Sequence, residues 1–325
     1  MCEKILEDVN PKTNKKRDWQ REKIKTFRLS DSYKRLKMDK KAKRVFDCSD
    51  FLEFAVHCDT EEKKLYRANF CKVRLCPMCA KRRSLKIYAQ TSQVMNEVAD
   101  DYSFLFLTLT LKNCEGNELK EVIDLMFKSF DKMFRRAKIK RVIKGWFRAL
   151  EVTHNLDQSS HSYNTYHPHF HIILVVRKGY FTGKDYIKQE EWVKFWRESL
   201  KVDYDPICDI RKFKANDERE LSKSLAESAK YTVKDNDYLI DSDFDMTDNT
   251  VKILDQALAY RRLVAFGGEL KKVHKKLNLD DVLEGDLIDT GLEKDKLRKD
   301  VEYMIEIYRW HVGYQNYFYW GSEIK

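Results

Sequence analysis

Three histidines alternate along residues 166–176, where His167, His169 and His171 are two positions apart. The alternation predicts a β-strand with all three imidazoles on one face and an apolar opposite face. Neutral imidazoles placed side by side in this way can hold one divalent metal ion. The alternative is a polar outer strand whose histidines are only solvated.

A carboxylate lies on the predicted strand that precedes the histidines. Residues 145–153 alternate so that Glu151 and Thr153 share a face, and a polar loop then leads to the histidine strand. Antiparallel pairing through that loop would bring Glu151 near His169 and His171 and complete a site of two histidines and one carboxylate. The alternative is an ordinary strand carboxylate that faces solvent.

A second candidate for chemistry is the predicted helix over residues 225–235. Glu227 and Tyr231 are four residues apart and therefore share one helix face. A phenol can attack phosphorus and form a covalent phosphotyrosine, and a nearby carboxylate can take a proton from water. Lys230 and Lys234 can neutralise phosphate. Such pairs are common on helices, so the segment indicates little on its own.

The cysteines predict a structural zinc site near the N-terminus. Cys76 and Cys79 form a Cys-x-x-Cys knuckle, and Cys71 precedes it as a third ligand. The fourth ligand is predicted to be Cys48, with Cys58 or His57 as alternatives; a redox pair is the other interpretation of the knuckle. Basic residues surround the knuckle and are predicted to contact phosphate: Lys72, Arg74, Arg82 and Arg83.

The charge distribution favours a polyanionic partner. The chain has 325 residues and a net charge of +10, and residues 1–44 carry sixteen Lys or Arg against seven Asp or Glu. Such a basic segment binds polyanions by releasing counterions from phosphates, although it can also be a solvated tail without a binding role. No run of eighteen apolar residues and no N-terminal signal core are present, which predicts a cytoplasmic protein without a membrane partner.

Four regions are predicted along the chain. Residues 1–43 are expected to be a basic, partly disordered arm with a helix near 19–35, and residues 44–100 a zinc-binding module that contacts DNA and ends in a helix. Residues 101–240 hold the candidate chemistry. Residues 241–325 are expected to be helical, with helices over 250–262 and 293–310.

Three motifs stand in a fixed order: residues 106–110 (FLTLT), 167–171 (HPHFH) and 227–231 (ESAKY). Together they resemble the rolling-circle replication initiator (Rep) proteins of small bacterial plasmids, within the HUH endonuclease superfamily. The likeness covers about residues 44–286. It implies an α+β fold with a central antiparallel β-sheet flanked by helices, with residues 101–240 as the HUH catalytic domain.

The resemblance also implies roles for the candidate residues. Tyr231 would nick one strand at the double-strand origin and keep the 5′ phosphate, and Glu227 would activate the water that ends replication. His169 and His171 would hold Mg²⁺ or Mn²⁺, and Glu151 fits the third ligand position, while His167 could substitute for a ligand or support one.

Partners follow from the same resemblance. The substrate would be origin DNA, unpaired or in a hairpin at the nick and duplex beside it, and a host helicase with other replication proteins would unwind and copy it. Action as a homodimer is compatible with the family. The alternatives are a relaxase or transposase of the same superfamily, and a zinc-containing DNA-binding regulator without catalysis.

Overall fold

The computed structural model describes residues 4–9, 14–58, 62–213, 220, 223, 225, 232–241, 243–290 and 303–324. The chain forms two compact units. Unit 1 comprises Met1–Lys86, Leu239–Val251 and Glu284–Lys325, and unit 2 comprises Ile87–Tyr238 and Lys252–Leu283. The predicted α+β class is confirmed, because each unit has an antiparallel sheet and helices accompany the sheets.

The helices in the described part of the chain are α1 (Trp19–Arg35), α2 (Asp39–Phe46), α3 (Pro77–Asn96), α4 (Leu119–Phe134), α5 (Ala137–Val142), α6 (Gln189–Leu200), α7 (Phe244–Leu258) and α8 (Gly268–Lys276). The strands are β1 (Phe51–His57), β2 (Lys63–Ala68), β3 (Tyr102–Thr110), β4 (Ile143–His154), β5 (Tyr166–Arg177), β6 (Cys208–Phe213), β7 (Val264–Gly267), β8 (Tyr303–His311) and β9 (Asn316–Ile324). Short 3₁₀ turns occupy Lys178–Phe181 and Asp235–Asp237.

The sheet of unit 2 has the strand order β6-β3-β5-β4-β7, so the histidine strand β5 is central. Both faces of β5 are covered, which excludes the interpretation of a solvated outer strand. On one face Phe170 packs against Phe127 and Phe130 of α4, with ring centroids 5.3 and 5.8 Å away. Trp196 of α6 donates its indole N–H to the Thr110 carbonyl at 2.8 Å and fixes that helix to β3.

The opposite face, which carries the histidines, is a hydrophobic core over most of its length. Ile173 and Val175 continue the histidine row and are fully buried. Their neighbours come from the C-terminal half of α3, from β3, β4 and β6, and from residues 264–283. The imidazoles therefore lie at one end of a buried sheet face, where apolar packing holds the strands in a single register.

The sheet of unit 1 has the order β2-β1-β8-β9, and α1 packs on one of its faces. The contacts are aromatic: the rings of Trp19 and Phe54 lie 6.0 Å apart, and those of Phe27 and Trp310 lie 5.7 Å apart. The helix predicted near residues 19–35 is confirmed. The expectation of a partly disordered arm is wrong for residues 14–43, because the apolar side of α1 is buried and needs this sheet to cover it.

The predicted helical C-terminal region is only partly helical. Helices α7 and α8 are present, but residues 303–310, expected in a helix, belong to strand β8. The reason is a period-two pattern, in which Glu306 and Tyr308 point to the α1 side and Ile305 and Ile307 to the other. β8 lies between β1 and β9, so backbone hydrogen bonding on both sides outweighs local helix propensity.

Glu306 is a buried acid of unit 1, and its removal gives a pH-dependent prediction. Its carboxylate contacts Lys4, Lys63 at 2.9 Å and the Tyr308 hydroxyl at 2.8 Å. Burial raises the pKa of Glu306, but hydrogen bonds from these three donors lower it by more than burial raises it. The pKa of Glu306 therefore lies below the ordinary value of 4.5. A depressed pKa stabilises the fold above the ordinary value, and this stability is lost as the pH falls through the folded-state pKa.

We therefore expect Glu306→Gln to reduce the unfolding free energy by about 1–2 kcal/mol at pH 7, because Lys63 loses its charged partner. The difference from wild type shrinks as the pH falls below the ordinary value of 4.5 and through the lower folded-state pKa, where the wild-type carboxylate protonates. Urea unfolding at several pH values measures this. Glu323→Gln on the exposed part of β9 is the matched control, and an effect of Glu306→Gln that is independent of pH would contradict the argument.

Candidate metal centre and cysteine cluster

Strand register brings the three predicted metal ligands together. β4 and β5 pair antiparallel with Glu151 opposite His169, and β3 pairs on the other side with Thr110 opposite His169 and Thr108 opposite His171. Paired residues share a sheet face, so the carboxylate and both imidazoles project to the same side. One ligand atom of each residue lies within 4.8 Å of the others.

The geometry within this group suits a divalent cation. Glu151 Oε2 lies 2.9 Å from His171 Nε2 and 3.3 Å from His169 Nε2. His169 Nδ1 lies 3.2 Å from the His167 carbonyl oxygen, which can only accept, so Nδ1 carries the proton and Nε2 keeps its lone pair. A nitrogen lone pair and a carboxylate oxygen that approach each other need a cation or a proton between them. All three residues are buried.

Charge at the group is concentrated on Glu151. Burial raises the pKa of Glu151, but hydrogen bonds and charge interactions with His169 and His171, in the state where a proton lies between each Nε2 and the carboxylate, outweigh burial and hold the pKa well below its usual range. A bound cation would take the place of those protons. The carboxylate is therefore ionised at neutral pH and available as a ligand. His167 is not one of the three converging residues; burial and the neighbouring His169 lower its pKa.

Two residues on the same face were missed in the sequence. Asp209 of β6 lies opposite Thr108, and Arg211 forms an ion pair with it at 2.9 Å while lying over the Phe106 ring at 5.1 Å. The available signal was the alternation within residues 208–213, which places Asp209 and Arg211 on the side of the histidines. They add a polar, partly exposed border to the metal group.

The predicted nucleophile, Tyr231, and its neighbours Glu227 and Lys230 lie outside the described residues. Thr232 is the next described residue. Its carbonyl accepts a 2.7 Å hydrogen bond from the backbone N–H of Val152, which is next to Glu151. Lys234 Nζ lies 3.9 Å from Glu151 Oε1. On the other side of the gap, Leu225 is buried in the core on the histidine face.

His154, at the end of β4, holds the same returning segment and was also missed. Its Nδ1 lies 3.0 Å from the Asp237 carbonyl oxygen, and its Nε2 lies 2.9 Å from Asn164 Oδ1. The ring stacks on Tyr166 at 4.4 Å between centroids. Both ring nitrogens of His154 therefore have hydrogen-bond partners. Through these contacts His154 anchors residues 235–238 beside the strand that carries Glu151.

Four cysteines of unit 1 form the second cluster. The structure brings Cys48 to the knuckle, and not Cys58, which is exposed, or His57, whose ring meets the Tyr303 ring edge-on with centroids 5.8 Å apart. The sulfur–sulfur distances are 3.6 Å for Cys48–Cys79 and Cys48–Cys76 and 3.7 Å for Cys71–Cys79. Four thiolates at about 2.3 Å from a tetrahedral zinc ion would be separated by about 3.8 Å, so the cluster fits this ion.

Local backbone geometry supports a thiolate cluster. The N–H groups of Cys71, Lys72 and Val73 point at cluster sulfurs at 3.4, 3.3 and 3.4 Å. A hydrogen bond with Cys71 holds the pKa of Cys48 well above its usual range, and burial does the same for Cys76. Burial also raises the pKa of Cys79, but hydrogen bonds with the other cysteines and the charge of Arg83 outweigh burial and lower it well below that range. Cys79 is therefore a thiolate from the start, and a bound cation would ionise the other thiols.

The basic residues around the knuckle divide into two groups. Arg82 and Arg83 are buried, and their guanidinium groups donate to the backbone carbonyls of Leu287, Ile288, Lys72 and Val73, so the structure uses them inside the fold. Burial removes them from a surface that phosphate can reach. Lys72 is exposed and Arg74 is half-buried, and both lie near Glu284.

Substitution of the carboxylate tests the metal group. We expect Glu151→Gln to weaken Mn²⁺ binding by about 100-fold or more, because even residues that only orient a ligand contribute about 10–100-fold. Isothermal titration of the purified chain with Mn²⁺ measures this, with the exposed Glu190→Gln as control. Equal Mn²⁺ affinities in the two variants would show that Glu151 is not a ligand.

Within the described residues, no helix is both long enough and apolar enough to cross a membrane.

The fold and site define an α+β protein whose central antiparallel sheet carries a potential metal site of two histidines and a carboxylate, with a separate four-cysteine cluster. Comparison with known families matches residues 62–318 to the family described as Replication protein. The chain belongs to this family, and the resemblance to replication initiator proteins that the three motifs indicate is confirmed.

Individual relatives match over nearly their whole length. "Protein rep" of Bacillus amyloliquefaciens is 42% identical over 96% of this chain and 96% of its own. "Protein rep" of Streptococcus pneumoniae serotype 2 (strain D39 / NCTC 7466) is 39% identical over 97% of this chain and 96% of its own. No solved structure shows a significant match.

Proposed function

We propose that this chain is a plasmid rolling-circle replication initiator that nicks one DNA strand through a tyrosine nucleophile. The observation that carries the proposal is the convergence of Glu151, His169 and His171 on one buried sheet face. Membership of the replication protein family makes DNA the expected substrate. The catalytic unit corresponds to the HUH endonuclease class, with the predicted catalytic region at residues 101–240.

Described residues on both sides of the tyrosine segment support the chemistry. Leu225 is anchored in the core on the histidine face and Thr232 is bonded to Val152, so both ends of the stretch that contains Glu227 and Tyr231 are attached to the sheet that carries the ligands. His154 adds a further attachment at Asp237. A short stretch fixed at both ends restricts where a nucleophile within it can reach.

In the proposed reaction, the Tyr231 hydroxyl loses its proton and its oxygen attacks the scissile phosphorus. A phosphotyrosine bond to the 5′ phosphate forms, the bond to the 3′ oxygen breaks, and that oxygen takes up a proton to become a 3′-hydroxyl primer end. A divalent ion, Mg²⁺ or Mn²⁺, would be held by His169, His171 and Glu151 and would polarise the phosphate oxygens. Lys234 and Lys230 would balance phosphate charge, and Glu227 would activate water for the final hydrolysis.

The zinc module and partners complete the proposal. Cys48, Cys71, Cys76 and Cys79 hold Zn²⁺, and the exposed Lys72 with Arg74 contact the phosphates of the duplex beside the nick. The nick itself falls on unpaired DNA, as in an extruded hairpin. A host helicase and replication proteins in the cytoplasm, and a second copy of the chain, are the proposed partners.

The deciding experiment is a nicking assay on a supercoiled plasmid that carries the cognate origin, with Mn²⁺ and with EDTA. We expect the plasmid to be relaxed in Mn²⁺ and to stay supercoiled in EDTA. We also expect a covalent peptide–DNA adduct in the Mn²⁺ reaction. Specific origin binding without any nicking would overturn the proposal and would identify a DNA-binding regulator instead.

A further inference from the structure

One end of the unit 1 sheet exposes aromatic and basic side chains on the face opposite α1. Trp320 and Tyr314 have 66% and 63% of their surface exposed. A contiguous patch of exposed apolar side chains marks an interaction site more often than a single exposed residue does. We name this surface the aromatic face, and its members are Phe51, Arg67, Arg309, His311, Tyr314, Phe318 and Trp320.

The register of three strands places these residues together. Arg309 of β8 lies opposite Phe51 of β1 and opposite Phe318 of β9. The pairing shifts between Ile307, opposite Gly321, and Tyr308, opposite Tyr319, so Trp320 is the extra residue of a β-bulge. A bulge redirects a side chain, and here it turns the indole toward Arg309.

Aromatic rings and cations are paired across this surface. Arg309 Cζ lies 4.6 Å from the Trp320 ring, and Arg67 Cζ lies 5.1 Å from the Phe51 ring. Phe318 lies 5.4 Å from Tyr314. The guanidinium groups are thereby held flat beside the rings while they remain accessible, since the Arg67 side chain is 63% exposed.

The acidic residues of the face do not oppose a polyanion at this end. Glu53 is buried and forms an ion pair with Arg67 at 2.9 Å. Glu323 is exposed but lies at the far end of β9, away from the β8–β9 turn. Arg67 shares its charge with Glu53, so the net positive charge beside Trp320 and Phe318 comes from the exposed Arg309.

We infer that the aromatic face binds single-stranded DNA, with unpaired bases stacked on Trp320, Phe318 and Tyr314 and with Arg309 and Arg67 at the phosphates. Sheet surfaces that combine exposed rings with arginines suit single strands, because every unpaired base offers a flat apolar face. In a duplex the flat faces of the bases are stacked on one another, so a duplex would contact only the arginines of this surface. The inference rests on the proposed function in taking DNA as the partner, and it requires neither the metal group nor Tyr231.

The test is binding of a fluorescent oligonucleotide of about twenty thymidines to the full chain, measured by anisotropy in EDTA. Since one stacked base contributes about 1–3 kcal/mol, Trp320→Ala should weaken binding by about 5- to 100-fold. Trp320→Phe keeps a ring and should lose much less. Binding of a 20-base-pair duplex should change little in either variant.

Phe244→Ala is the matched control. Phe244 is also 66% exposed in unit 1 and also has an arginine over its ring, with Arg35 Cζ at 4.9 Å, but it lies on α7 and not on the sheet. It should leave oligonucleotide binding unchanged. The assay measures binding alone, in EDTA, whereas the nickase proposal is tested by plasmid cleavage with Mn²⁺, so failure of the nickase proposal is separable from failure of this one.

Three results would overturn the inference. One is unchanged oligonucleotide affinity in a Trp320→Ala protein that keeps its circular dichroism spectrum. Another is an equal loss for oligonucleotide and duplex, which would indicate a duplex-binding surface. The third is a change in sedimentation from dimer to monomer without a change in DNA binding, which would indicate an interface between two copies of the chain.

Discussion

Tyr231→Phe should abolish nicking of the origin plasmid, with cleavage reduced by about 10⁴-fold or more and no covalent DNA adduct. The substitution removes only the oxygen that would bond to phosphorus. The aromatic ring of residue 231 stays, but the side chain no longer has an atom that can form the bond. Mn²⁺ affinity and DNA binding should stay at wild-type values. Denaturing gel analysis of labelled origin DNA, followed by peptide mapping of the wild-type adduct, measures the effect.

Two comparison variants make this result specific. Tyr260→Phe alters a fully exposed tyrosine of unit 2 and should nick like the wild-type chain. Glu227→Ala should still form the adduct but fail to release it, because the proposed role of Glu227 is in the final hydrolysis. Wild-type adduct yield in Tyr231→Phe would exclude Tyr231 as the nucleophile, and a complete loss of the first cut in Glu227→Ala would show that its role is different.

The candidate metal group was predictable from sequence because it depends on local strand pairing. β4 and β5 are consecutive, and the loop between them is short, so alternation alone fixes which residues can face one another. Glu151 and His169 are direct partners in the structure, as that pairing requires. The same reasoning places α6 at residues 189–200, where a helical spacing of tryptophans needs no distant partner to be recognised.

Features that depend on distant parts of the chain were not predictable in this way. β8 contains charges and aromatics at spacings that also fit a helix, and only its position between β1 and β9 decides the matter. Arg82 offers a second case. A basic residue beside a cysteine knuckle suggests a phosphate contact, but its guanidinium group satisfies backbone carbonyls at residues 287 and 288. No pattern within residues 71–83 indicates those acceptors.

The cysteine cluster combines both situations. Cys76 and Cys79 are identifiable from their spacing, but the choice among Cys48, Cys58 and His57 depends on how β1 and α2 pack. β1 directs His57 toward Tyr303 and ends before the exposed Cys58, whereas the end of α2 places Cys48 beside the knuckle. The fold of unit 1 therefore selects the fourth cysteine.

Cys76→Ser should remove zinc from the purified chain and lower the unfolding free energy of unit 1 by more than about 4 kcal/mol, a size reserved for losses such as a structural metal. Cys76 is fully buried at the start of α3, and its Sγ lies 3.6 Å from Cys48 Sγ. A serine hydroxyl is a poor zinc ligand, so the three remaining cysteines lose the ion and the protein loses the folding free energy that metal binding supplies.

The cluster also ties together three separate stretches of unit 1, which explains the expected size of the effect. Cys48 follows α2, Cys71 follows β2, and Cys76 and Cys79 begin α3. Their binding to one ion closes loops that the small sheet alone would have to hold. Loss of the ion should therefore destabilise β1 and β2 together with α1, whose aromatic residues pack on this sheet.

Zinc content by mass spectrometry and urea unfolding monitored by tryptophan fluorescence measure both parts of this prediction. Cys58→Ser, in the same unit but exposed and outside the cluster, should retain one zinc per chain and wild-type stability, whereas Cys48→Ser should behave like Cys76→Ser. Full zinc occupancy in Cys48→Ser, with loss in Cys58→Ser, would reverse the assignment of the fourth ligand. Wild-type zinc content and stability in Cys76→Ser would show that Cys76 is not a ligand of a structural metal.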